Sequence, residues 1–180
     1  MRLFYNFILC LIGAIFSYQL HAAPTLNKEL EALYLADQTE RESGTFNPYD
    51  DENRLEKAIK IINRTELNHY RDYFHIAILY QHGRLPEHFK QAQRYALQSM
   101  KLNPEFKLAK WLASAAEDRY LLSIGKEQVW GTQFRGFGCV DSAPFNKNAK
   151  TDQQRIERGV PTLAEINQYL NDQKDCEPIE

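Results

Sequence analysis

The fold is decided by residues 73–104, which read YFHIAILYQHGRLPEHFKQAQRYALQSMKLNP. Apolar side chains recur every three or four positions on both sides of Gly83, and this spacing places them on one face of a helix. Gly83 is expected to end the first helix, Pro86 to open the second and Asn103-Pro104 to stop it. The segment therefore predicts two helices that pack as a hairpin.

Helical spacing also continues upstream of this hairpin. A first apolar stripe ends at Ser43-Gly44, and Asp50 is a natural cap for a second helix. Thr65 is expected to cap the helix that ends at Gly83. Three helices are thus predicted before the chain reaches Pro86.

Downstream, a fifth helix is predicted from Pro104 to Gly125, and then the pattern changes. Residues 126–148 are rich in glycine and aromatic side chains without helical spacing, which indicates a loop or a short hairpin. Two capping boxes, Thr151 with Gln154 and Thr162 with Glu165, predict short helices within 151–172. The sequence therefore predicts an all-α fold of helical hairpins with one irregular insert.

Composition limits the class of protein. The chain has 180 residues with 22 Lys+Arg against 24 Asp+Glu, so a net charge of -2 gives no electrostatic reason to expect a nucleic-acid partner. A mean hydropathy of -0.56 excludes a protein that spans the membrane many times. Ten Tyr, ten Phe and two Trp can fill the core of a single domain, expected at 23–180.

The first 22 residues have the pattern of a secretory signal peptide. Arg2 is followed by an apolar run over 7–17 and by small residues at Ala22-Ala23, where cleavage after Ala22 is expected. A retained anchor helix is the alternative, but the run is short for a bilayer and Gln19 and His21 close it. The pattern predicts export across the inner membrane to the periplasm, with no membrane attachment after cleavage.

Removal of the signal peptide would leave two cysteines, Cys139 and Cys176. In an oxidising compartment such a pair is most simply a disulfide, which would stabilise the fold by about 3 kcal/mol if unstrained. The alternative is two free thiols, because a count of cysteines does not establish their connectivity.

The residue pattern of the hairpin resembles that of a helical repeat. Leu79-Tyr80-Gln81-His82-Gly83, the alanines of the next helix and Leu102-Asn103-Pro104 together resemble tetratricopeptide and Sel-one-like hairpins. The resemblance covers about one repeat. It implies a tetratricopeptide-like layer inside a globular domain and not a long solenoid.

The most specific motif begins with Asp118-Arg119 and continues at 125–133, where the chain reads GKEQVWGTQ. It resembles a bacterial family, a domain of unknown function, whose members pair Asp-Arg near a helix end with Gly-x-x-Gln-x-aromatic-Gly-Thr-Gln. The likeness extends upstream to Asp37 and Arg41 and downstream to Arg155. It implies a shared helical fold with a polar cluster, and it does not imply a mechanism.

The motif admits two interpretations. In the first, Asp118 and Arg119 fasten an irregular loop to the helices and satisfy its backbone groups. In the second, Arg119, Gln133 and Arg155 form a recognition cleft for an anionic or amide-bearing ligand. The candidate binding residues are Arg119, Gln128, Trp130, Gly131, Thr132, Gln133 and Arg155.

Two further side chains leave their role open. Asp37 and Arg41 are one helical turn apart, so they are either an exposed ion pair or supporting members of the polar cluster.

Familiar catalytic patterns are missing from the sequence. It contains no His-Glu-x-x-His, Cys-x-x-Cys, Gly-x-Ser-x-Gly or phosphate-binding loop, so neither a metal nor a cofactor is predicted. His75 and His82 are seven residues apart on one helix face, and this spacing more often lines a surface than binds a metal. His82 is expected to contact the carbonyl groups at the helix end.

These observations predict an exported, non-enzymatic protein that binds a protein or peptide partner in the cell envelope. By analogy with other small exported helical proteins, an inhibitor or immunity-type role is included. The alternative is a hydrolase-like envelope enzyme that uses Asp118 or His82 as acid or base and Arg119 to stabilise an anion. The missing pair of nucleophile and base favours binding.

Overall fold

The structure, a computed structural model, describes residues 23–136 and 140–173. The described chain folds into seven α-helices and one pair of short strands, so the all-α prediction is confirmed. The elements are α1 (Lys28–Glu42), α2 (Pro48–Arg64), α3 (Tyr70–Gln81), α4 (Pro86–Leu102), α5 (Lys107–Ser123), β1 (Phe134–Arg135), β2 (Asp141–Ser142), α6 (Asp152–Glu157) and α7 (Leu163–Asp172). The predicted signal peptide and both Cys139 and Cys176 lie outside the described residues.

Helix α3 is the centre of the molecule, because it packs against α1, α2, α4 and α5. Its residues from 74 to 81 are all buried, and apart from His75 and Gln81 they are apolar on every side of the helix and not along a single stripe. Alanines at 92, 96, 109 and 113 have almost no exposed surface and let α4 and α5 approach closely. The predicted hairpin of residues 73–104 is thus the core of the fold.

Three helices begin later or earlier than the sequence predicts. Asn47 caps α2 by accepting a hydrogen bond from the N–H of Tyr49, and Pro48 occupies the first turn, so the predicted cap at Asp50 is wrong. His69 caps α3 in place of Thr65. Helix α5 begins only at Lys107, because the Asn103 side chain accepts from the N–H of Glu105 and holds a turn there.

The irregular insert joins α5 to α6. Its two strands pair antiparallel, with Phe134 opposite Ser142, and Gln128 forms an isolated parallel bridge with Phe145. Both capping boxes are present at the starts of α6 and α7 and confirm those predictions. Across residues 23–136 and 140–173, none of the helices has the length and apolar character needed to cross a membrane.

Candidate functional site

The carboxylate of Asp118 fixes the loop of residues 128–133, and we call this carboxylate and this loop the loop clamp. Asp118 lies on α5 with no exposed surface. Its Oδ1 accepts hydrogen bonds from the N–H groups of Val129 at 2.7 Å and Trp130 at 2.9 Å. Its Oδ2 accepts from the N–H and the hydroxyl of Thr132, at 3.0 and 2.8 Å. Burial raises the pKa of Asp118, and these four donors oppose that by favouring the carboxylate.

Gln128 closes the same loop from inside. Its Oε1 accepts from the N–H of Gln133 at 2.9 Å, while its Nε2 donates to the carbonyl oxygens of Gln133 and Ala143 at 2.9 and 3.1 Å. The side chain is fully buried. Gln128 therefore satisfies backbone groups that a buried loop would otherwise leave without partners.

Arg155 and Trp130 complete the clamp. Arg155, on α6, has no exposed surface and donates to the backbone carbonyls of Trp130 and Val129. The indole N–H of Trp130 donates to Glu117 at 2.8 Å. Arg155 therefore cannot line the recognition cleft of the second interpretation, because its guanidinium bonds to the loop carbonyls and it has no exposed surface.

Gly131 is required by both its backbone and its surroundings. Its φ of 78° lies in the left-handed region. A Cβ atom at this position would come within 2.9 Å of the side chains of Phe145 and Ile166. Gly131, Gln128 and Trp130 are thus buried structural members of the clamp, and of the seven candidate binding residues only Arg119, Thr132 and Gln133 keep partial exposure.

A second polar assembly, which we call the charged cluster, joins α1, α2 and the end of α3. Its members are Asp37, Glu40, Arg41, Asp51, Arg54 and His82. Arg54 donates to both carboxylate oxygens of Glu40, at 2.6 and 2.7 Å, and to Asp51 at 2.9 Å. Arg41 donates to Asp51 at 2.8 Å. The fork of each guanidinium therefore links two helices.

His82 lies between two members of this cluster. Its Nδ1 is 2.9 Å from Oδ1 of Asp37 and 2.9 Å from Nε of Arg41. The prediction that His82 contacts helix-end carbonyls is therefore wrong: its ring reaches back to α1, where a carboxylate and a guanidinium compete for one nitrogen. Within the described chain, Nε2 of His82 has no hydrogen-bond partner and is not among the buried side-chain atoms.

The Asp37 carboxyl faces this cluster and is 1% exposed, so the interpretation of Asp37 and Arg41 as a mere surface pair does not hold. Burial alone would favour its neutral form. The hydrogen bond and charge of His82, with Arg41 and Gln38, outweigh burial and lower the pKa of Asp37 to about 2. Asp37 is therefore a carboxylate at neutral pH.

Arg119 connects Gln133 of the clamp to the end of α3, next to His82 of the charged cluster. Its Nη1 donates to the carbonyl of Gln81 at 2.6 Å, and its Nε donates to Oε1 of Gln133 at 3.3 Å. No carboxylate of the described residues lies within 4.0 Å of its guanidinium. Burial and the nearby charge of Arg41 lower its pKa. Arg119 is thus a half-buried cation without a counter-ion.

The groups around Arg119 suit the recognition of an anion or an amide. The clamp holds the backbone of Gln133, and the Gln133 side chain accepts from Arg119 and keeps partial exposure. Asp118 cannot act as acid or base, because both of its oxygens are occupied by the loop. His82 and Arg119 keep accessible surface, and the sequence did not predict that Asp37 is the partner of His82.

No group of three or more metal-binding side chains occurs in residues 23–136 and 140–173.

Comparison with protein families, with curated proteins and with solved structures gives no match to this chain. The function is therefore inferred from the geometry of the site.

Proposed function

We propose that this chain is an exported, non-enzymatic protein of the bacterial envelope, periplasmic after loss of residues 1–22, that binds a protein or peptide partner. In this proposal the partner places an anionic or amide group against Arg119, Gln133 and His82. An inhibitor or immunity-type role belongs to the same proposal and rests on analogy alone.

One observation carries this proposal. Arg119 is partly buried and donates only to uncharged groups, the Gln81 carbonyl and the Gln133 side chain. A desolvated guanidinium is ordinarily paired with a carboxylate, because leaving it unpaired costs several kcal/mol (~3). An anionic group of a partner would supply the missing counter-charge, and Gln133 would offer a neighbouring amide.

The surroundings of His82 favour binding over hydrolysis. Its ring contacts Asp37 and Arg41, and no hydroxyl or thiol of the described residues bonds to it. A nucleophile activated by this imidazole would need to lie within hydrogen-bond reach. Among the described residues, the geometry thus offers positive and amide groups without a nucleophile bonded to His82.

The test replaces Arg119 by Lys in the full chain and measures capture of partners from an envelope extract. We expect at least about a tenfold loss of the captured partner, because lysine keeps the charge but loses the planar fork. The matched control is Arg94→Lys, an exposed arginine stacked on Tyr95, which should capture as the parent does. The melting temperature is measured in parallel for all three proteins.

The outcomes separate recognition from structure. Lost capture with a melting temperature close to that of the parent supports the proposal. Unchanged capture together with lost thermal stability would leave Arg119 as a structural residue and would overturn it.

A second candidate, a hydrolase-like envelope enzyme, is favoured by one specific observation. Asp37 orients His82 through Nδ1, and Arg119 bonds to the carbonyl of the preceding residue, Gln81; a general base and an anion-stabilising group would be held in this way. Here Asp37 takes the place predicted for Asp118. A cell-wall hydrolysis assay compares the parent with His82→Gln: activity in the parent that the variant loses would replace the binding proposal.

A further inference from the structure

A groove of about 250 Å³ lies between α1, α3 and the beginning of α5, among residues that the charged cluster does not include. Three aromatic side chains, Tyr34, Phe74 and Phe106, form its walls. Phe74 meets Tyr34 and Phe106 edge-on, with ring centroids 5.9 and 5.0 Å apart. A cavity of this size and lining accommodates a single ring or a branched alkyl group.

His75 lines the groove and is 5% exposed. Its ring stacks on Tyr34 with centroids 4.4 Å apart, and neither ring nitrogen has a hydrogen-bond partner in the described chain. Burial lowers the pKa of His75 to about 4, so the ring is neutral at pH 7 and carries one N–H. Because Nδ1 is fully buried and an orphaned donor is costlier than an orphaned lone pair, we place this N–H on Nε2.

Two further features give the groove positive character. Phe106 offers no side-chain cap to α5, whose first turn holds no acidic residue, and the backbone N–H groups of Lys107 and Leu108 have no acceptor in the described chain. The free end of a helix of this length attracts an anion. Arg71 lies at the groove, and none of the described carboxylates is within 4.0 Å of it.

One lining residue opposes an anion. Glu31 carries a carboxylate, but Lys28 donates to it at 2.8 Å and lowers its pKa. Lys28 thus pairs directly with Glu31, whereas Arg71 interacts with this carboxylate only over a distance greater than 4.0 Å. The lining of the groove therefore combines aromatic walls with a buried imidazole and backbone N–H groups that have no acceptor in the described chain, beside Arg71, whose Nε donates to the Tyr70 hydroxyl.

We propose that this groove binds a carboxylate attached to an apolar ring, with the carboxylate against Arg71, His75 and the first turn of α5 and the ring between Tyr34, Phe74 and Phe106. Such a group is found in free aromatic acids and at the C-terminus of a peptide that ends in an aromatic residue. The inference is independent of the proposed function at Arg119.

The experiment titrates the full chain with 3-phenylpropionate and records backbone and imidazole NMR shifts. We expect saturable shifts at His75, Lys107 and Leu108. The neutral 3-phenylpropionamide should bind at least about tenfold more weakly, because it lacks the charge that the donors recognise. Acetyl-Ala-Phe with a free and with an amidated C-terminus tests the peptide source in the same way.

Two variants test the residues. His75→Phe keeps the stacked ring but removes the donor, and Arg71→Gln alters an exposed side chain that the fold does not need. We expect each to weaken binding at least about fivefold. Arg64→Gln is the matched control, because Arg64 lies at a separate groove with Lys57 and Lys60 and should leave binding unchanged.

The site is supported if 3-phenylpropionate or acetyl-Ala-Phe with a free C-terminus binds and both variants weaken that binding. The acid that binds more tightly shows whether the natural ligand is a free aromatic acid or a peptide C-terminus. Equal binding of acid and amide, absence of saturable shifts for both acids, or binding that Arg71→Gln does not change would overturn the proposal. The Arg71→Gln variant tests the proposal even if His75→Phe fails to fold.

Discussion

The loop clamp and the charged cluster both bury ionised side chains, but they do so in opposite ways. The clamp holds one carboxylate, Asp118, and surrounds it with neutral N–H and hydroxyl donors from a single short segment. The cluster brings together six ionisable side chains from three helices and balances carboxylates against guanidinium groups.

The difference separates residues that build the fold from residues that remain available. Every polar atom of Asp118 and Gln128 that faces the loop has a protein partner, so the clamp is complete without a ligand. Arg119 bonds to Gln133 and to the Gln81 carbonyl and has no counter-ion among the described residues. The clamp thus fixes Gln133, and Gln133 orients Arg119. Arg119 is the residue that can still accept a charged partner.

The largest expected effect comes from breaking the clamp. Asp118→Ala leaves three backbone N–H groups and one hydroxyl without an acceptor in a buried place, so we expect the free energy of unfolding to fall by about 4 kcal/mol. Urea titration at pH 7 measures it. Asp172→Ala, at an exposed position near the end of α7, is the control and should change stability by about 0.5 kcal/mol or less. A loss at Asp118 no larger than that of the control would show that the clamp is not needed.

The clamp could be predicted from the sequence because its residues are close together along the chain. Asp118 and the segment 128–133 belong to one motif, and an irregular loop after a helix needs side chains to satisfy its backbone. The helices were also predictable, since apolar spacing and capping boxes are local signals.

The charged cluster was harder to predict. Asp37 has a local partner one turn away in Arg41, so nothing in the sequence demands a third group 45 residues further on. The start of α2 is different, because Asn47 and Asp50 are both good caps three residues apart and the local signal of Pro48 in the first turn favours Asn47. Contacts between residues far apart in the sequence depend on how the helices pack. The local spacing of residues in one sequence does not predict that packing.

Gly131 tests how tightly the clamp is packed. In Gly131→Ala the methyl group would meet Phe145 and Ile166 within 2.9 Å in a left-handed backbone, and we expect a loss of about 3 kcal/mol. Gly44→Ala is the matched control, with a φ of 68° but no atom within 4 Å of the added methyl. It should lose only about 1 kcal/mol, the backbone cost alone. Equal losses in thermal or urea unfolding would mean that packing around Gly131 contributes nothing.

Asp37 gives the charged cluster a dependence on pH. Its pKa of about 2 in the folded chain is below that of an unfolded aspartate, so the stabilisation is complete above about pH 4 and is lost as the pH falls toward 2. The loss from this group is about 2.5 kcal/mol. Asp37→Asn removes the titration, so the difference in unfolding free energy between parent and variant should shrink by about 2 kcal/mol from pH 5 to 2, where the folded carboxyl is still half ionised. A difference that stays constant with pH would contradict the pairing with His82.

The smallest expected effect concerns the separation of the two regions. Asp37 and Thr132 share no hydrogen-bond partner, since Asp37 contacts Gln38, Arg41 and His82 while Thr132 contacts Asp118 and Gln133. The unfolding free energies of Asp37→Asn and Thr132→Val should therefore add within about 0.5 kcal/mol in the double variant. The matched cycle inside the clamp, Thr132→Val with Asp118→Asn, should couple by about 1 kcal/mol, because the two side chains share a hydrogen bond. Coupling as strong between Asp37 and Thr132 would mean that Arg119 transmits strain between the regions, and the clamp and the cluster would then form one cooperative unit.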